Sequence, residues 1–205
     1  MSLVHRLVPL LALLPLLAGC GTVAASLPPA HAASPQRADL GWVESIGDTS
    51  GRVVFDVRSF EVTKDGWQAA ISLANDTAVP FAVGSTDLPG SLVFGLMLFS
   101  TGTHSELETR NAKSSLPTIR LAEAFTPALP AELQPHQAWS GTISAPGPLA
   151  AGTWVRVVFG VLFPGQRIEN GRLLPSKPTV PDSLRKAKVG SELEWITDHA
   201  YKLRR

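Results

Sequence analysis

Hydrophobic and polar positions along much of the chain alternate with the period of two expected of strands, not the period of 3.6 expected of helices. In Trp67-Gln68-Ala69-Ala70-Ile71-Ser72-Leu73, Trp67, Ala69, Ile71 and Leu73 fall on one face and smaller or polar residues on the other. That pattern predicts a half-buried strand. Upstream, Val53, Phe55 and Val57 share a phase that Phe60 and Val62 do not, and a bulge near Arg58 and Ser59 reconciles the two halves. Between these runs, Lys64-Asp65-Gly66 carries the Asp-Gly signature of a hairpin, whose glycine accepts a positive φ at no steric cost. Leu92 to Phe99 (LVFGLMLF) and Val155 to Phe163 (VRVVFGVLF) are apolar at nearly every position. They predict central strands covered on both faces, too short to cross a bilayer as helices. Weaker strands are expected from Ile119 to Phe125, Trp139 to Ser144 and Leu193 to Leu203. One short helix is expected where Thr103-His104-Ser105-Glu106 has the spacing of a capping box, with Leu107 inward and Glu106 four residues before Arg110.

About seven strands, with 17 Gly and 17 Pro available for turns and no repeating strand-helix-strand unit, predict an all-β fold built as a sandwich of two antiparallel sheets. A small barrel is the alternative. Leu133-Gln134-Pro135-His136-Gln137-Ala138-Trp139, followed by Gly152 to Gly160, resembles the turn-strand-turn-strand ending of immunoglobulin-like modules of bacterial envelope proteins. The resemblance implies an immunoglobulin-like antiparallel sandwich, here without the paired cysteines of antibody-type domains. Gln166 to Val189, rich in Pro and Lys, is expected to cross the surface as a long loop before the last strand.

The N-terminus departs from this pattern. Met1 to Arg6 is weakly positive, Leu7 to Ala18 is almost entirely Leu, Ala, Val and Pro, and Gly19 and Cys20 follow; this is the organisation of an export signal. The apolar stretch falls short of the roughly 20 residues of a transmembrane helix, and Pro9 and Pro15 would interrupt one. Leu17-Ala18-Gly19-Cys20 resembles the lipobox of bacterial lipoproteins. The resemblance implies cleavage between Gly19 and Cys20, a diacylglyceryl group on the Cys20 sulfur and acylation of its amine. Two or three chains anchor firmly because each buried methylene contributes about 0.8 kcal/mol, whereas one chain holds only marginally. It also implies a protein on the exported side of a bacterial membrane, with Gly21 in place of the Asp that favours inner-membrane retention in Gram-negative members; the leaflet stays open. Gly21 to Arg37 (GTVAASLPPAHAASPQR) has no apolar period and reads as a flexible tether. The expected organisation is therefore a signal peptide over 1–19, an acylated cysteine and tether over 20–38, and a sandwich domain over 39–205.

Composition narrows the function. With 44% hydrophobic and 17% charged residues the chain folds rather than staying disordered. Removing the leader leaves 17 basic residues against 17 acidic ones, so the positive field that drives nucleic-acid binding is lacking and no nucleic-acid partner is expected. A single cysteine excludes an intramolecular disulfide and a multi-thiolate metal site. No Gly-x-Ser-x-Gly elbow, His-Glu-x-x-His helix or phosphate loop is present. Gly147 and Gly152 have phosphate-loop spacing, but Thr153 and Trp154 stand where Lys and Ser/Thr are required, so no cation meets a phosphate. His104, His136 and His199 have no short ligand spacing, so no metal and no cofactor is expected. Asn75-Asp76-Thr77 matches a glycosylation sequon and reads better as a turn closing a strand. Trp67, Trp139 and Trp154 stand at strand starts and read as core or sheet-edge residues.

The most suggestive polar run is Trp195-Ile196-Thr197-Asp198-His199-Ala200-Tyr201. If extended, it puts Trp195, Thr197, His199 and Tyr201 on one face and Asp198 on the other, so Asp198 does not orient His199 as in a catalytic dyad. Trp195, His199 and Tyr201 are the candidate ligand-contacting residues. From Arg167 onward nine residues are basic and five acidic, whereas Asp39 to Gln166 has seven and twelve. Lys186, Lys188, Lys202, Arg204 and Arg205 form either a solvated rim or a contact with anionic lipid or polymer. Two functions follow. The first is a lipid-anchored envelope protein whose non-catalytic domain binds a protein or wall polymer. The alternative is an envelope hydrolase or small-ligand-binding lipoprotein with a pocket near His199.

Overall fold

The computed structural model describes residues 31–49, 51–84, 93–169, 172–175 and 193–205. Gly19, Cys20 and the rest of residues 1–30, over which the sequence predicts a leader and the first part of a tether, lie outside the described residues, as does most of the Gln166 to Val189 stretch. The elements are β1 (Gln36–Asp48), β2 (Gly51–Val62), β3 (Gly66–Asp76), β4 (Phe81–Val83), β5 (Gly95–Phe99), α1 (His104–Ala112), β6 (Arg120–Leu121) and β7 (Ala124–Thr126). After these come β8 (Glu132–Leu133), β9 (Ala138–Pro146), β10 (Trp154–Pro164), β11 (Gln166–Glu169), β12 (Arg172–Pro175), β13 (Leu193–Ile196) and β14 (Tyr201–Lys202).

One antiparallel sheet has the order β1-β2-β3-β9-β7. The other is organised around β10, which takes β5 and β4 one after the other on one side and β14 and β13 on the other. Thus Val158 pairs with both Gly95 and Ile196, and Leu162 with both Val83 and Leu193. This is the all-β sandwich expected from the sequence, with two antiparallel sheets face to face and one short helix.

The core between the sheets comes from the alternating positions. Trp67, Ala69, Ile71 and Leu73 of β3 are all buried, as are Val53, Phe55, Val57, Phe60 and Val62 of β2. The phase change in β2 is the expected bulge: Val57 pairs with Ile71 and Ser59 with Ala70, leaving Arg58 between them. Across the core, the Phe55 ring meets the edge of Phe159 of β10, centroids 5.2 Å apart. A second, smaller core explains why β5 and β10 are apolar on both faces. Met97, Phe99 and Val158 point away from the main core and are covered by Leu107 of α1, with Leu116 and Ile119 alongside. Helix α1 starts as predicted, Thr103 Oγ1 accepting from the Glu106 amide. The Glu106 carboxylate, however, reaches past the cap to Ser100 and Thr101 and takes the Arg110 guanidinium at 2.9 Å.

Three expectations are corrected. Residues 31–37, read as the end of the tether, belong to the fold: Ala32 bridges Ala150, the Ala33 amide donates to Leu149 O at 2.8 Å, and β1 starts at Gln36. The stretch from Gln166 does not begin as a loop, since β11 and β12 pair as a hairpin from Gln166↔Pro175 to Glu169↔Arg172. The β2–β3 hairpin is present, but Gly66 is not among the positive-φ glycines. It is required by close approach instead, because a Cβ there would stand 2.2 Å from Ala145 O of β9. The sequon closes β3 as expected, with Asn75 and Thr77 buried and Asp76 exposed: Asn75 Nδ2 donates to Val79, Leu133 and Gln134 carbonyls, and its Oδ1 accepts from Thr77.

Gly66→Ala is expected to destabilise the domain by about 2–3 kcal/mol, because backbone must shift to admit the methyl. Gly147→Ala, at φ +96 with open space around it, is expected to cost about 1 kcal/mol from backbone conformation alone. Urea unfolding of the two variants checks the order.

Candidate functional site

The last strand leaves the sheet between Ile196 and Tyr201. There its main-chain groups are served by three side chains. The Thr197 amide still donates to Val157 O at 3.0 Å. Beyond it, the amides of Asp198 and His199 donate to the two oxygens of the Glu44 carboxylate at 2.9 and 3.1 Å. The carbonyls of Thr197 and Asp198 accept from Arg156 Nη1, the first at 2.6 Å, and the His199 carbonyl accepts from Thr197 Oγ1 at 3.0 Å. Main-chain groups that lose a strand neighbour need other partners, and here a carboxylate accepts from the amides while a guanidinium and a hydroxyl donate to the carbonyls.

Glu44 comes from an inward position of β1, between Trp42 and Ile46, and its side chain is only 8% exposed. Besides the two amides it accepts from Trp195 Nε1 at 2.8 Å and faces His199 Nδ1 at 2.7 Å. Burial pushes its carboxyl up, but the bonds from the His199 ring, the Asp198 and His199 amides and the Trp195 indole together hold it below the ordinary value. An ionised Glu44 can only accept, so Nδ1 carries the proton that points to it. The His199 ring stacks on Trp42 at 5.6 Å, and Trp195 stacks on Phe55 at 5.2 Å with planes 2° apart.

Arg156 lies on the α1-covered face of β10, with no solvent exposure. Its Nη2 donates to the carbonyls of Gly102 and Thr103, at 3.3 and 2.9 Å, and its guanidinium sits over the Phe99 ring at 5.2 Å. Nε has no partner among the described residues. Burial lowers the pKa of the group, and the charges of Asp198, Glu44 and Glu106 oppose that; it stays cationic. The Asp198 carboxylate turns away from His199 to His104 Nδ1 at 3.1 Å, while His104 Nε2 faces Glu108, also at 3.1 Å.

The three candidate residues thus share one seam but not one cavity. Tyr201 packs on Phe60 at 5.8 Å, and its hydroxyl donates to Gln36 Oε1 at 3.2 Å. A depression of about 370 Å³ beside α1 is lined by His104, Glu108, Trp195 and Asp198, and an open groove of about 750 Å³ by Trp154, Tyr201, Lys202, Leu203, Arg204 and Arg205. His199 lines neither. Asp198 does not orient His199, as expected, but Glu44 does, from 155 residues upstream. A carboxylate-oriented imidazole is one half of a general base. The nearby hydroxyl of Thr197 is committed to the Val157 amide and the His199 carbonyl. No group of three or more His, Cys, Asp or Glu that could hold a metal ion occurs among the described residues.

Glu44, Arg156, Gln36 and Trp42 were not singled out by the sequence. Arg156 had a usable signal, a lone cation in a run predicted to be covered on both faces. Glu44 had a weaker one, a carboxylate in phase with Trp42 and Ile46. No protein-family model matches the chain, and neither a curated protein nor a solved structure matches it.

Arg156→Lys is expected to cost about 3 kcal/mol, since one ammonium cannot serve carbonyls in two segments and the buried charge is left poorly paired. Faster amide exchange at Asp198 and His199 should accompany the loss. Acid is expected to weaken the fold from the carboxylate side. Burial opposes ionisation of Glu106, but bonds from Thr101, Ser100 and Arg110 hold it down to about 2, and Glu44 is also depressed. Groups depressed in the folded state contribute stability above their unfolded pKa and lose it as pH falls through the folded one. Stability should therefore fall between about pH 4.5 and 2, and Glu44→Gln should flatten that slope in denaturation curves taken across the range.

Proposed function

We propose that the chain is a lipid-anchored protein of the bacterial cell envelope, on the exported side of the membrane, whose sandwich domain binds an envelope protein or wall polymer without catalysing a reaction. The observation that carries this reading is Leu17-Ala18-Gly19-Cys20 at the end of an apolar leader, with the chain's one cysteine at the position acylated in lipoproteins. A short tether and a fold beginning near residue 31 suit a domain displayed close to a bilayer. The binding role is supported by β1, a 13-residue strand paired on one side only, with β2, among the described residues. Its outward Val43 is 65% exposed, and a strand of this kind can accept an extended segment of a partner by edge pairing. The commitment of the polar groups around His199 to main-chain partners also favours a closure over a reaction centre.

One observation favours the second reading, an envelope hydrolase or small-ligand-binding lipoprotein: the Glu44–His199 pair, with the imidazole side chain 55% exposed. In-cell crosslinking of the acylated protein followed by capture separates the readings. A reproducible partner that persists in His199→Ala supports the binding module; hydrolase or ligand activity that disappears in His199→Ala supports the alternative.

Cys20→Ser is expected to abolish acyl labelling and to leave the chain uncleaved or released from membranes. Normal labelling and retention of this variant would remove the basis of the anchor.

A further inference from the structure

The first and last described segments are tied to each other. Ser34 Oγ donates to Arg205 O at 2.9 Å, and the Gln36 carboxamide accepts from the Arg204 amide at 3.1 Å and donates to its carbonyl at 3.3 Å. Leu203, buried between them, exchanges main-chain bonds with Gly152 and Thr153. The point where the fold leaves the tether therefore lies against Lys202, Arg204 and Arg205, all exposed. Lys202 Nζ stands 5.7 Å over the half-buried Trp154 ring, in the wall of the 750 Å³ groove. Arg120 reaches the same end, donating to Pro148 O at 3.3 Å. Of the carboxylates at this end, Glu61 faces Arg37 and Asp65 faces Lys64, each at 3.8 Å, while Glu123 is exposed. Among the described residues, none of Arg120, Lys202, Arg204 and Arg205 has an ion-pair partner.

Chain length sets where this end stands. Covalent geometry lets Cys20 and His31 stand at most about 38 Å apart, whereas β1 alone spans roughly 43 Å. A domain held by acyl chains on Cys20 therefore keeps its Ser34 end within about 38 Å of the bilayer and able to touch it, whereas it cannot stand inverted on its Asp48 end with β1 upright. We propose that this end is a membrane-docking surface, on which Arg120, Lys202, Arg204 and Arg205 rest against the headgroups of anionic phospholipids with Trp154 at the interface. The inference rests on the anchor proposed above and adds an orientation to it. Cations within a Debye length of such a surface are attracted by it, and aromatic rings with a polar edge settle at the headgroup level.

The test uses the acylated chain reconstituted in vesicles of phosphatidylcholine, with or without phosphatidylglycerol, that contain a headgroup nitroxide lipid. Tryptophan quenching is read for the wild type, Trp154→Phe and Lys202→Gln/Arg204→Gln/Arg205→Gln, with near-UV circular dichroism as the check on folding. The expected result is quenching that depends on Trp154, rises with phosphatidylglycerol and fades at about 0.5 M salt. The docking equilibrium should fall roughly a hundredfold in the triple variant, about fivefold for each cation. Equal quenching in neutral and anionic vesicles, or in wild type and triple variant, overturns the docking surface and leaves the anchor standing. Tighter binding of soluble polyglutamate than of anionic vesicles assigns the cations to a wall polymer and overturns the lipid assignment. If acyl labelling finds Cys20 unmodified, the anchor fails on its own, and the same lipid, salt and variant dependence with chain added to preformed vesicles still decides the patch.

Discussion

A guanidinium with no solvent exposure has to be matched by acceptors wherever it sits, and Arg156 sits near the start of the strand that organises one whole sheet. Burying a charge is unfavourable by several kcal/mol unless it is hydrogen-bonded and compensated. Here direct hydrogen bonding comes from four carbonyls, two before α1 and two in the segment after β13. Charge compensation comes from carboxylates one step further out, Asp198, Glu44 and Glu106. The requirement fixes both segments at once. It holds the entry to the only helix among the described residues, and with it the cover of the small outer core. It also holds the turn that the last strand makes on leaving the sheet.

The second consequence is the seam. β1 is an edge of one sheet, and β13 with β14 forms an edge of the other, so one side of the sandwich is closed where these edges meet. The ladder of the last strand is short, and between Ile196 and Tyr201 it stops. Polar side chains take over there. Glu44 of β1 holds the amides of Asp198 and His199, and Gln36 of the same strand holds Tyr201 and Arg204. Aromatic pairs fill in between, Phe55 on Trp195 and Phe60 on Tyr201, each worth about 0.5–1.5 kcal/mol beyond area burial. Such a closure explains the depressed pKa of Glu44 without any catalytic demand on it: a carboxylate that replaces a missing strand neighbour must be ionised.

Most of the sheet framework was legible because it is local. The alternation in β3, the phase slip in β2 and the double-sided apolar runs of β5 and β10 each follow from positions a few residues apart. β1 escaped notice for a physical reason. Its inward positions include Gln36 and Glu44, whose partners lie more than 150 residues away, so the hydrophobic alternation is broken where the strand is most needed. The start of the fold is hidden for the same reason, since Ala32 and Ala33 are ordered by Leu149 to Ala151 and not by their own composition. Gly66 sits in the turn that the Asp-Gly pair predicts, but the neighbour that excludes a Cβ there is β9, invisible from the pair itself. His199 was picked out with its true character, an imidazole among aromatics, but its carboxylate could not be inferred from a sequence neighbour that points the other way.

Seam and charge polarity belong to the same short stretch of chain. Trp195, His199 and Tyr201 turn toward β1 and help hold the sheets together; from Lys202 to Arg205 the charged side chains turn outward and find no ion-pair partner among the described residues. The inward set is committed to Glu44 and Gln36 of β1, so it has little freedom to change without loosening the seam. The outward cations have no such duty: hydrogen bonds to the main chain of Arg204 and Arg205, not to their guanidinium groups, tie this end to Ser34 and Gln36. A position whose backbone is fixed and whose charge is free is suited to recognition, because binding there orders little that is not already ordered. On physical grounds the exposed end of the last strand, rather than the histidine in its middle, is where this domain has charge to offer a partner.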